Sequence, residues 1–158
     1  MFEKGEYISF ANCGLPYYIG DVIPTRVALI VQTVEQMSRK FNLDIRNLSE
    51  VISINKEEKK ISVKNYRTGE VYEESYDTLV LSPGAKPIKP PIAGIEDCKN
   101  LFTLRNIPDM DNIKSFLEEE KPKRAIVIGG GFIGLEMAEN LHEKGVNVTL
   151  VEGSNQVM

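Results

Sequence analysis

Three glycines, at positions 129, 131 and 134, have the spacing that most directly predicts chemistry in this chain. They form a GxGxxG pattern directly after 124–128, a short apolar run typical of a strand buried on both faces. The first glycine allows a tight turn, the second lets backbone amides approach a pyrophosphate, and the third lets a helix pack closely on the strand. The pattern therefore predicts that the phosphates of a dinucleotide bind at a helix N-terminus.

The residues that follow predict the elements that hold this loop in place. Apolar side chains from Ile133 to Leu141 recur on one helical stripe, and Gly145 is placed to end the helix. Residues 146–151 then predict a second strand, with Glu152 at its end. An acid about 20 residues after the glycines accepts hydrogen bonds from an adenine ribose and repels a 2′-phosphate, so the sequence favours NADH over NADPH.

A second segment with possible chemistry surrounds Cys13. Pro16 fits the first turn of a helix that starts near Cys13, because a missing amide costs nothing there. A thiol at a helix N-terminus is stabilised as the nucleophilic thiolate. The local sequence leaves open the alternative that Cys13 is a small buried hydrophobic residue.

Composition limits the classes of function. The chain has 158 residues, enough for one ordinary core but short for two nucleotide-binding domains. A net charge of -4 argues against nucleic acid and polybasic membrane partners. No apolar stretch approaches a membrane span and no signal-peptide pattern opens the chain, so we predict a cytoplasmic protein. Cys13 and Cys98 lack metal-ligand spacing, so we predict free thiols and no metal site.

The remaining patterns predict an α/β protein with an antiparallel β-meander inserted before a proline-rich linker. The predicted elements are a helix over 25–40, a short strand over 42–46, meander strands over 51–55, 60–65 and 70–76, a buried strand over 77–85, a linker over 86–94, and a helix opening near Asp109 and ended by Pro122.

The segment SFANCGLPYYIG, residues 9–20, resembles the active-site segment of coenzyme A-disulfide reductases. These enzymes are members of the pyridine nucleotide-disulfide oxidoreductase family, which also includes NADH oxidases and NADH peroxidases. Three further stretches resemble the family in the same order: QTVEQM, EESYDTLVLSPGAKPIKPPI and IVIGGGFIGLEMAENL. The resemblance implies a partial Rossmann-like FAD domain with its β-meander over 1–90, followed by an incomplete Rossmann-like NAD(P)H domain over 100–158.

The resemblance also implies a role for the cysteine segment. Cys13 would be a single redox cysteine that lies beside the flavin and forms a mixed disulfide with coenzyme A, and Ser9 and Asn12 would contact that substrate. The alternative for Ser9 and Asn12 is ordinary loop hydrogen bonding and capping. Because 14–20 contains no second cysteine, the dithiol branch of the family is excluded, and Cys98 is predicted to be structural.

The implied cofactors are FAD and NADH, or NADPH. Glu3 matches the acid that holds the FAD ribose, and Glu136 matches a residue near the nicotinamide. An ordinary turn is the alternative for the Ser-Pro-Gly segment that follows Leu81. The full set of expected cofactor-binding residues is Glu3, Lys4, Val51, Ser82, Pro83, Gly84, Gly129, Gly131, Phe132, Ile133, Gly134, Glu136 and Glu152.

The chain departs from the family at both ends. A family member should carry its own FAD-binding GxGxxG roughly 30 residues before Cys13, and only twelve residues precede Cys13 here. We therefore expect a fragment, truncated at both ends, of a homodimeric reductase of coenzyme A disulfide or a related small thiol. An NADH oxidase or peroxidase, and a catalytically inactive nucleotide-binding fragment, are the alternatives.

Overall fold

The structure, a computed structural model, describes residues 1–158. The chain divides into two compact units. The first unit contains Met1–Phe10 and Ile30–Gly84, and the second contains Ala11–Leu29 and Ala85–Met158. No helix combines the length and the apolar character that crossing a membrane requires.

The first unit contains the predicted antiparallel meander: strands β3 (Ser49–Asn55), β4 (Lys60–Asn65) and β5 (Val71–Ser75) pair in that order, which confirms the prediction. Successive side chains of a strand point to opposite faces of the sheet, and in the central strand this places Ile61 and Val63 in the core. Lys59 and Gly69, both with positive φ, lie in the two turns. The elements of this unit are β1 (Ser9–Phe10), β2 (Ile30–Gln32), α2 (Val34–Phe41), β3 (Ser49–Asn55), β4 (Lys60–Asn65) and β5 (Val71–Ser75).

The predicted helix over 25–40 is wrong in its first half. Arg26–Leu29 forms a 3₁₀ turn, and β2 then pairs antiparallel with β1. The helix starts only after Thr33, whose hydroxyl accepts from the Gln36 amide at 3.2 Å while the Gln36 side-chain oxygen accepts from the Thr33 amide at 3.1 Å. This capping box fixes the helix start, because it satisfies amides that have no partner within the helix.

The predicted strand over 42–46 is also wrong. Asn42 ends α2 in the left-handed conformation, and only Arg46 forms a bridge, with Phe2. Arg46 instead contacts several residues of the first unit. Its guanidinium lies 5.4 Å from the Phe2 ring centroid, and it forms ion pairs with Asp44, at 2.8 Å, and with Glu74. These contacts order the segment without extended pairing.

The apolar run over 77–85 forms no strand either. Val80 is 81% exposed, and Leu81 is exposed as well. A strand needs a partner for its amides and carbonyls, and no strand of the chain pairs with this segment. The sequence pattern identified an apolar segment correctly but not its pairing.

The second unit contains the predicted strand, helix and strand around the glycines. β6 (Arg124–Ile128) and β7 (Asn147–Val151) pair parallel and in register, with Ala125 opposite Val148 and Ile128 opposite Val151. Its elements are α1 (Leu15–Ile19), α3 (Ile107–Glu120), β6 (Arg124–Ile128), α4 (Phe132–Glu143) and β7 (Asn147–Val151). Side chains from α1, α3 and α4 are buried here: Leu15, Ile19, Ile107, Met110, Ile113, Met137 and Leu141.

One expectation for β6 is wrong, because the strand is not buried on both faces. Val127 lies on the α4 side, with its Cγ1 3.6 Å from where a Cβ on Gly134 would lie. Ile126 and Ile128 lie on the opposite side and are 70% and 53% exposed. A two-stranded sheet with a helix on one side covers only one face of each strand.

The compact units do not coincide with the predicted ranges 1–90 and 100–158. Residues 11–29 join the C-terminal part of the chain, because α1 packs against α3 and α4. The predicted ranges refer to nucleotide-binding domains, and they stay a prediction.

Candidate functional site

The glycine loop between β6 and α4 leaves room for a ligand and packs closely on the helix. Gly129 has φ of 106°, a conformation that favours glycine. A Cβ on Gly134 would overlap the carbonyl oxygen of Gly129, whereas a Cβ on Gly129 or Gly131 would meet no atom within 4 Å. Gly131 is the N-cap of α4, so the open space lies at a helix N-terminus, as pyrophosphate binding requires.

The carboxylate of Glu152, just after β7, is anchored to this loop. It accepts from the Gly130 amide at 2.6 Å and from the Ser154 amide at 2.7 Å. These hydrogen bonds hold the pKa of Glu152 below its ordinary value, and the bond from the Gly130 amide has a larger effect than those from Ser154. The site therefore keeps a negative charge beside the glycine loop, which suits ribose hydroxyls and repels a further phosphate.

The other residues predicted to bind the nicotinamide nucleotide lie in the first part of α4. Phe132 and Ile133 are exposed, at 68% and 54%, in the first turn of the helix. Glu136 lies about one turn further along and is half-buried. The apolar stripe predicted for α4 includes Ile133, but only Met137 and Leu141 of that stripe are buried.

Cys13 lies in a 3₁₀ turn, Asn12–Gly14, that runs directly into α1. Its thiol is free and exposed, so the alternative of a small buried hydrophobic residue is wrong. Gly14 and Leu15 are buried, and a Cβ on Gly14 would lie only 2.7 Å from Leu29 Cδ2. The backbone after the thiol is thus fixed by packing while the sulfur remains accessible.

The two residues expected to contact substrate have different settings. The Asn12 side-chain oxygen accepts from Arg105 Nη1 at 3.3 Å, and Arg105 also donates to the Ala85 carbonyl at 3.4 Å. Ser9 lies in β1 opposite Gln32 and belongs to the first unit. The structure therefore groups Asn12 with Cys13, and it adds Arg105, which no local sequence pattern had indicated.

The residues expected to bind FAD all belong to the first unit. Glu3 accepts from the Gly5 amide at 2.6 Å, and Lys4 pairs with Glu50 at 2.8 Å, immediately before Val51 in β3. These residues gather at the start of β3.

The Ser-Pro-Gly segment has a different environment from that group. Ser82, Pro83 and Gly84 are exposed and outside any strand, and Gly84 has a turn-like φ of 72°. Because the only GxGxxG of the chain is the one at Gly129, the residues present fit a nicotinamide nucleotide more completely than a flavin nucleotide.

Sequence reasoning missed a group of charges beside α1. Asp21 binds the ammonium groups of both Lys114 and Lys144. These partners lie 93 and 123 residues further along the chain, so no local pattern signals the contacts. Both lysines lower the pKa of Asp21 by hydrogen bonding to its carboxylate, and Lys114 has the larger effect.

Cys98 is exposed, like Cys13, and its thiol lies 3.3 Å from the Asn100 side-chain oxygen. It belongs to the second unit, in the segment before α3. Its predicted structural role stays a prediction.

Comparison with known proteins agrees with these features. Residues 1–158 match the family described as pyridine nucleotide-disulphide oxidoreductase. A coenzyme A disulfide reductase of Staphylococcus epidermidis is 42% identical over 99% of this chain, which spans only 35% of that protein.

Solved structures give the same result. Reduced CoADR-RHD of Bacillus anthracis has 68% identity and a TM-score of 0.96, and the match covers 100% of this chain and 28% of that one. A NAD-dependent persulfide reductase of A. fulgidus has 35% identity and a TM-score of 0.89, over 99% of this chain and 29% of that one. The water-forming NADH oxidase of Lactobacillus brevis, bound to NADH, has 30% identity and a TM-score of 0.87, and the match covers 99% of this chain and 34% of that one.

These matches confirm the resemblance and the Rossmann-like fold class that the sequence predicted. The chain spans about a third of the length of the curated relatives it matches. The chain belongs to the pyridine nucleotide-disulphide oxidoreductase family.

Proposed function

We propose that this chain carries the redox thiol and the nicotinamide-nucleotide site of an FAD-dependent, NADH-driven reductase of coenzyme A disulfide. One observation carries the proposal: Cys13, the only cysteine of its segment, is exposed on a fixed turn in the same compact unit as the glycine loop. The chain is also 42% identical to a coenzyme A disulfide reductase. The whole enzyme would be a cytoplasmic homodimer that acts on a small molecule.

The proposed chemistry on this chain is thiol-disulfide exchange. The Cys13 thiolate attacks one sulfur of coenzyme A disulfide, the S–S bond breaks, and one coenzyme A leaves as a thiolate that takes up a proton. Cys13 is then joined to the second coenzyme A. FAD, when bound, would supply this mixed disulfide with the two electrons taken from NADH, so that one NADH and one proton would yield NAD⁺ and two thiols per disulfide.

In this proposal the chain's residues bind and orient the reactants. The loop of Gly129, Gly131 and Gly134 holds the pyrophosphate of NADH, and Glu152 accepts from its ribose hydroxyls. Phe132, Ile133 and Glu136 at the start of α4 flank the nucleotide. Asn12, held by Arg105, and Ser9 bind the coenzyme A portion of the substrate.

The same site favours NADH over NADPH. Glu152 keeps its negative charge, because backbone amides stabilise the carboxylate. A 2′-phosphate would meet that charge directly. Glu3, Lys4, Val51, Ser82, Pro83 and Gly84 are the residues of this chain proposed to contact FAD.

Two alternatives concern the electron acceptor and the chain itself. The oxidase and persulfide reductase matches allow oxygen or a persulfide in place of a disulfide, and the family resemblance adds peroxide. Both matches are less identical to this chain than the coenzyme A disulfide reductases are. For the chain alone we propose weak NADH binding without turnover, because its single GxGxxG can hold one dinucleotide.

The test is Cys13→Ser in the full-length enzyme, with Cys98→Ser as the matched control. We expect Cys13→Ser to abolish reduction of coenzyme A disulfide while NADH still reduces the flavin, because that hydride transfer needs no thiol. Cys98→Ser should leave both steps unchanged. Full disulfide turnover by Cys13→Ser would refute the proposal, and reduction of oxygen or peroxide without a thiol product in the wild type would favour the oxidase or peroxidase alternative.

A further inference from the structure

A compact group of charges connects the segment after Cys13 to two helices of the second unit. We call it the Asp21 cluster: Asp21, Lys114, Glu118 and Lys144. The two carboxylate oxygens of Asp21 bind separate lysines, Oδ1 binding Lys114 of α3 and Oδ2 binding Lys144 at the end of α4. Lys114 is also 3.6 Å from Glu118. A single carboxylate thus contacts both helices.

Lys114 contacts α1 in two further ways. Its ammonium donates to the Tyr18 carbonyl at 3.1 Å and lies 4.6 Å from the centroid of the Tyr18 ring. The side chain is only 15% exposed, so the surrounding groups replace most of its hydration. A lysine with this burial and four partners has a restricted position, unlike most surface lysines.

The backbone beside Asp21 is also constrained. Asp21 has φ of 64°, a left-handed conformation that aspartate and asparagine tolerate better than most residues. Gly20 packs so closely on the buried Asn140 of α4 that a Cβ at position 20 would overlap the Asn140 side chain. The end of α1 is therefore fixed by packing against α4 and by the two lysines.

This arrangement links the thiol to the nucleotide loop within one unit. Helix α1 has only five residues and begins two residues after Cys13, so displacement of its end displaces the thiol. Helix α4 begins at the glycine loop and ends beside Lys144, which binds Asp21. Arg26 adds a further contact with α3, its Nη2 lying 2.8 Å from Asp111 Oδ2.

We infer that Asp21 is a positioning residue for Cys13: its contacts with Lys114 and Lys144 hold the cysteine turn at a fixed place relative to α4. The inference rests on the proposed function, in which Cys13 is the redox thiol. Thiol exchange needs the reacting sulfurs aligned, and a displacement of about 1 Å in an active site can cost on the order of 100-fold in rate. A surface ion pair with a purely structural role would leave such kinetics unchanged.

Asp21→Asn in the full-length enzyme tests this inference, because asparagine keeps the shape, tolerates the left-handed backbone and removes the charge. We expect kcat for coenzyme A disulfide to fall by about 10- to 100-fold, with KM for NADH and the rate of flavin reduction by NADH within about twofold of wild type. Asp44→Asn is the matched control, since it removes a carboxylate that binds Arg46 in the first unit. It should leave all three quantities unchanged.

A second measurement does not depend on the substrate. Alkylation of Cys13 by iodoacetamide, followed by mass spectrometry, should change in rate by at least about threefold in Asp21→Asn, while Cys98 in the same molecule reacts at its wild-type rate. Wild-type disulfide turnover in Asp21→Asn, or equal slowing of flavin reduction and disulfide reduction, would overturn the inference. If the wild type does not reduce coenzyme A disulfide, the proposed function fails, and an unchanged Cys13 alkylation rate would then separately overturn the positioning role.

Discussion

The Glu152 carboxylate accepts a hydrogen bond from the Gly130 amide at 2.6 Å, so the acid after β7 and the glycine loop after β6 form one connected structure. The carboxylate proposed to select the nucleotide and the loop proposed to bind its phosphates are therefore held together by the protein itself. This preorganisation reduces the ordering that binding requires. The local geometry repeats at Glu3, which accepts from the amide two residues further along, as Glu152 does from Ser154.

Replacement of Glu152 by glutamine should weaken NADH binding and remove the preference over NADPH. The neutral amide loses charge-assisted bonds to the ribose, worth about 1.5–3 kcal/mol or roughly 10- to 100-fold in Kd. It also removes the repulsion of a 2′-phosphate, so NADPH affinity should stay the same or rise. Titration calorimetry with both nucleotides measures these changes. Glu139→Gln, on the exposed side of α4, is the control, and a wild-type NADH preference in Glu152→Gln would contradict the role of the acid.

The glycines of the loop should respond differently to alanine. Gly134→Ala forces a methyl group into the Gly129 carbonyl, so α4 must move and the free energy of unfolding should fall by about 1–3 kcal/mol or more. Gly131→Ala meets open space and has a backbone that alanine adopts easily, with φ of -78°. Its stability should be nearly unchanged while NADH affinity falls, because the methyl group occupies space next to the pyrophosphate.

Chemical denaturation and calorimetry on the same two variants separate these effects. Equal loss of stability in both variants would mean that the glycines act only in packing. Normal NADH binding by Gly131→Ala would show that the pyrophosphate does not approach this residue.

Local sequence patterns were sufficient to predict the strand, helix and strand around the glycine loop. The apolar run, the glycines and the helical stripe are encoded within about thirty consecutive residues, and the structure contains β6, α4 and β7 as predicted. The strand predicted over 77–85 is absent because a strand depends on a partner, which local sequence does not specify. The predicted helix over 25–40 is too long because apolar spacing continues before Thr33, whereas the capping box at Thr33 sets where the helix starts.

The candidate site could be predicted only in part for a related reason. Cys13 and Glu152 belong to local motifs, so the sequence alone indicates them as candidates, and their roles stay predictions. The positioning role inferred for Asp21, by contrast, depends on its contacts with Lys114 and Lys144. These lysines lie near Asp21 because α1 packs on α3 and α4. Arg105 reaches Asn12 across 93 residues of sequence. Sequence patterns identify residue types and periods, and these contacts depend on tertiary packing.

Acid should specifically remove the contribution of Asp21 to stability. The lysine contacts, Lys114 first, lower the pKa of Asp21, so the native protein holds the carboxylate ionised where the unfolded chain binds a proton. The contribution is fully present above the ordinary pKa of 3.8 and is lost as the pH falls below it. At pH 7 the free energy of unfolding of the wild type should therefore exceed that of Asp21→Asn by at most about 1 kcal/mol. The difference is small because the Asp21 carboxylate is largely exposed.

Urea denaturation of both proteins at pH 7, 5 and 3 provides the measurement. The difference in free energy of unfolding should be the same at pH 7 and pH 5 and should shrink at pH 3. A difference that grows as the pH falls would contradict ionised Asp21 as the stabilising form.

The close approach of Gly20 to Asn140 gives a last prediction, on the packing of α1. A Cβ at position 20 overlaps the Asn140 side chain, whose amide also donates to the Glu136 carbonyl at 2.8 Å. Gly20→Ala should therefore lower the free energy of unfolding by about 1–3 kcal/mol. Gly153→Ala is the control, because a Cβ there meets no atom within 4 Å. Asn140→Ala removes the two closest overlapping atoms, Oδ1 and Cγ, and leaves only the Asn140 Cβ, 2.8 Å from the added carbon. Part of the overlap is thus relieved, so the Gly20→Ala, Asn140→Ala double variant should be more stable than the sum of the single effects predicts. Strict additivity in urea denaturation would show that α1 and α4 are not in contact at this point.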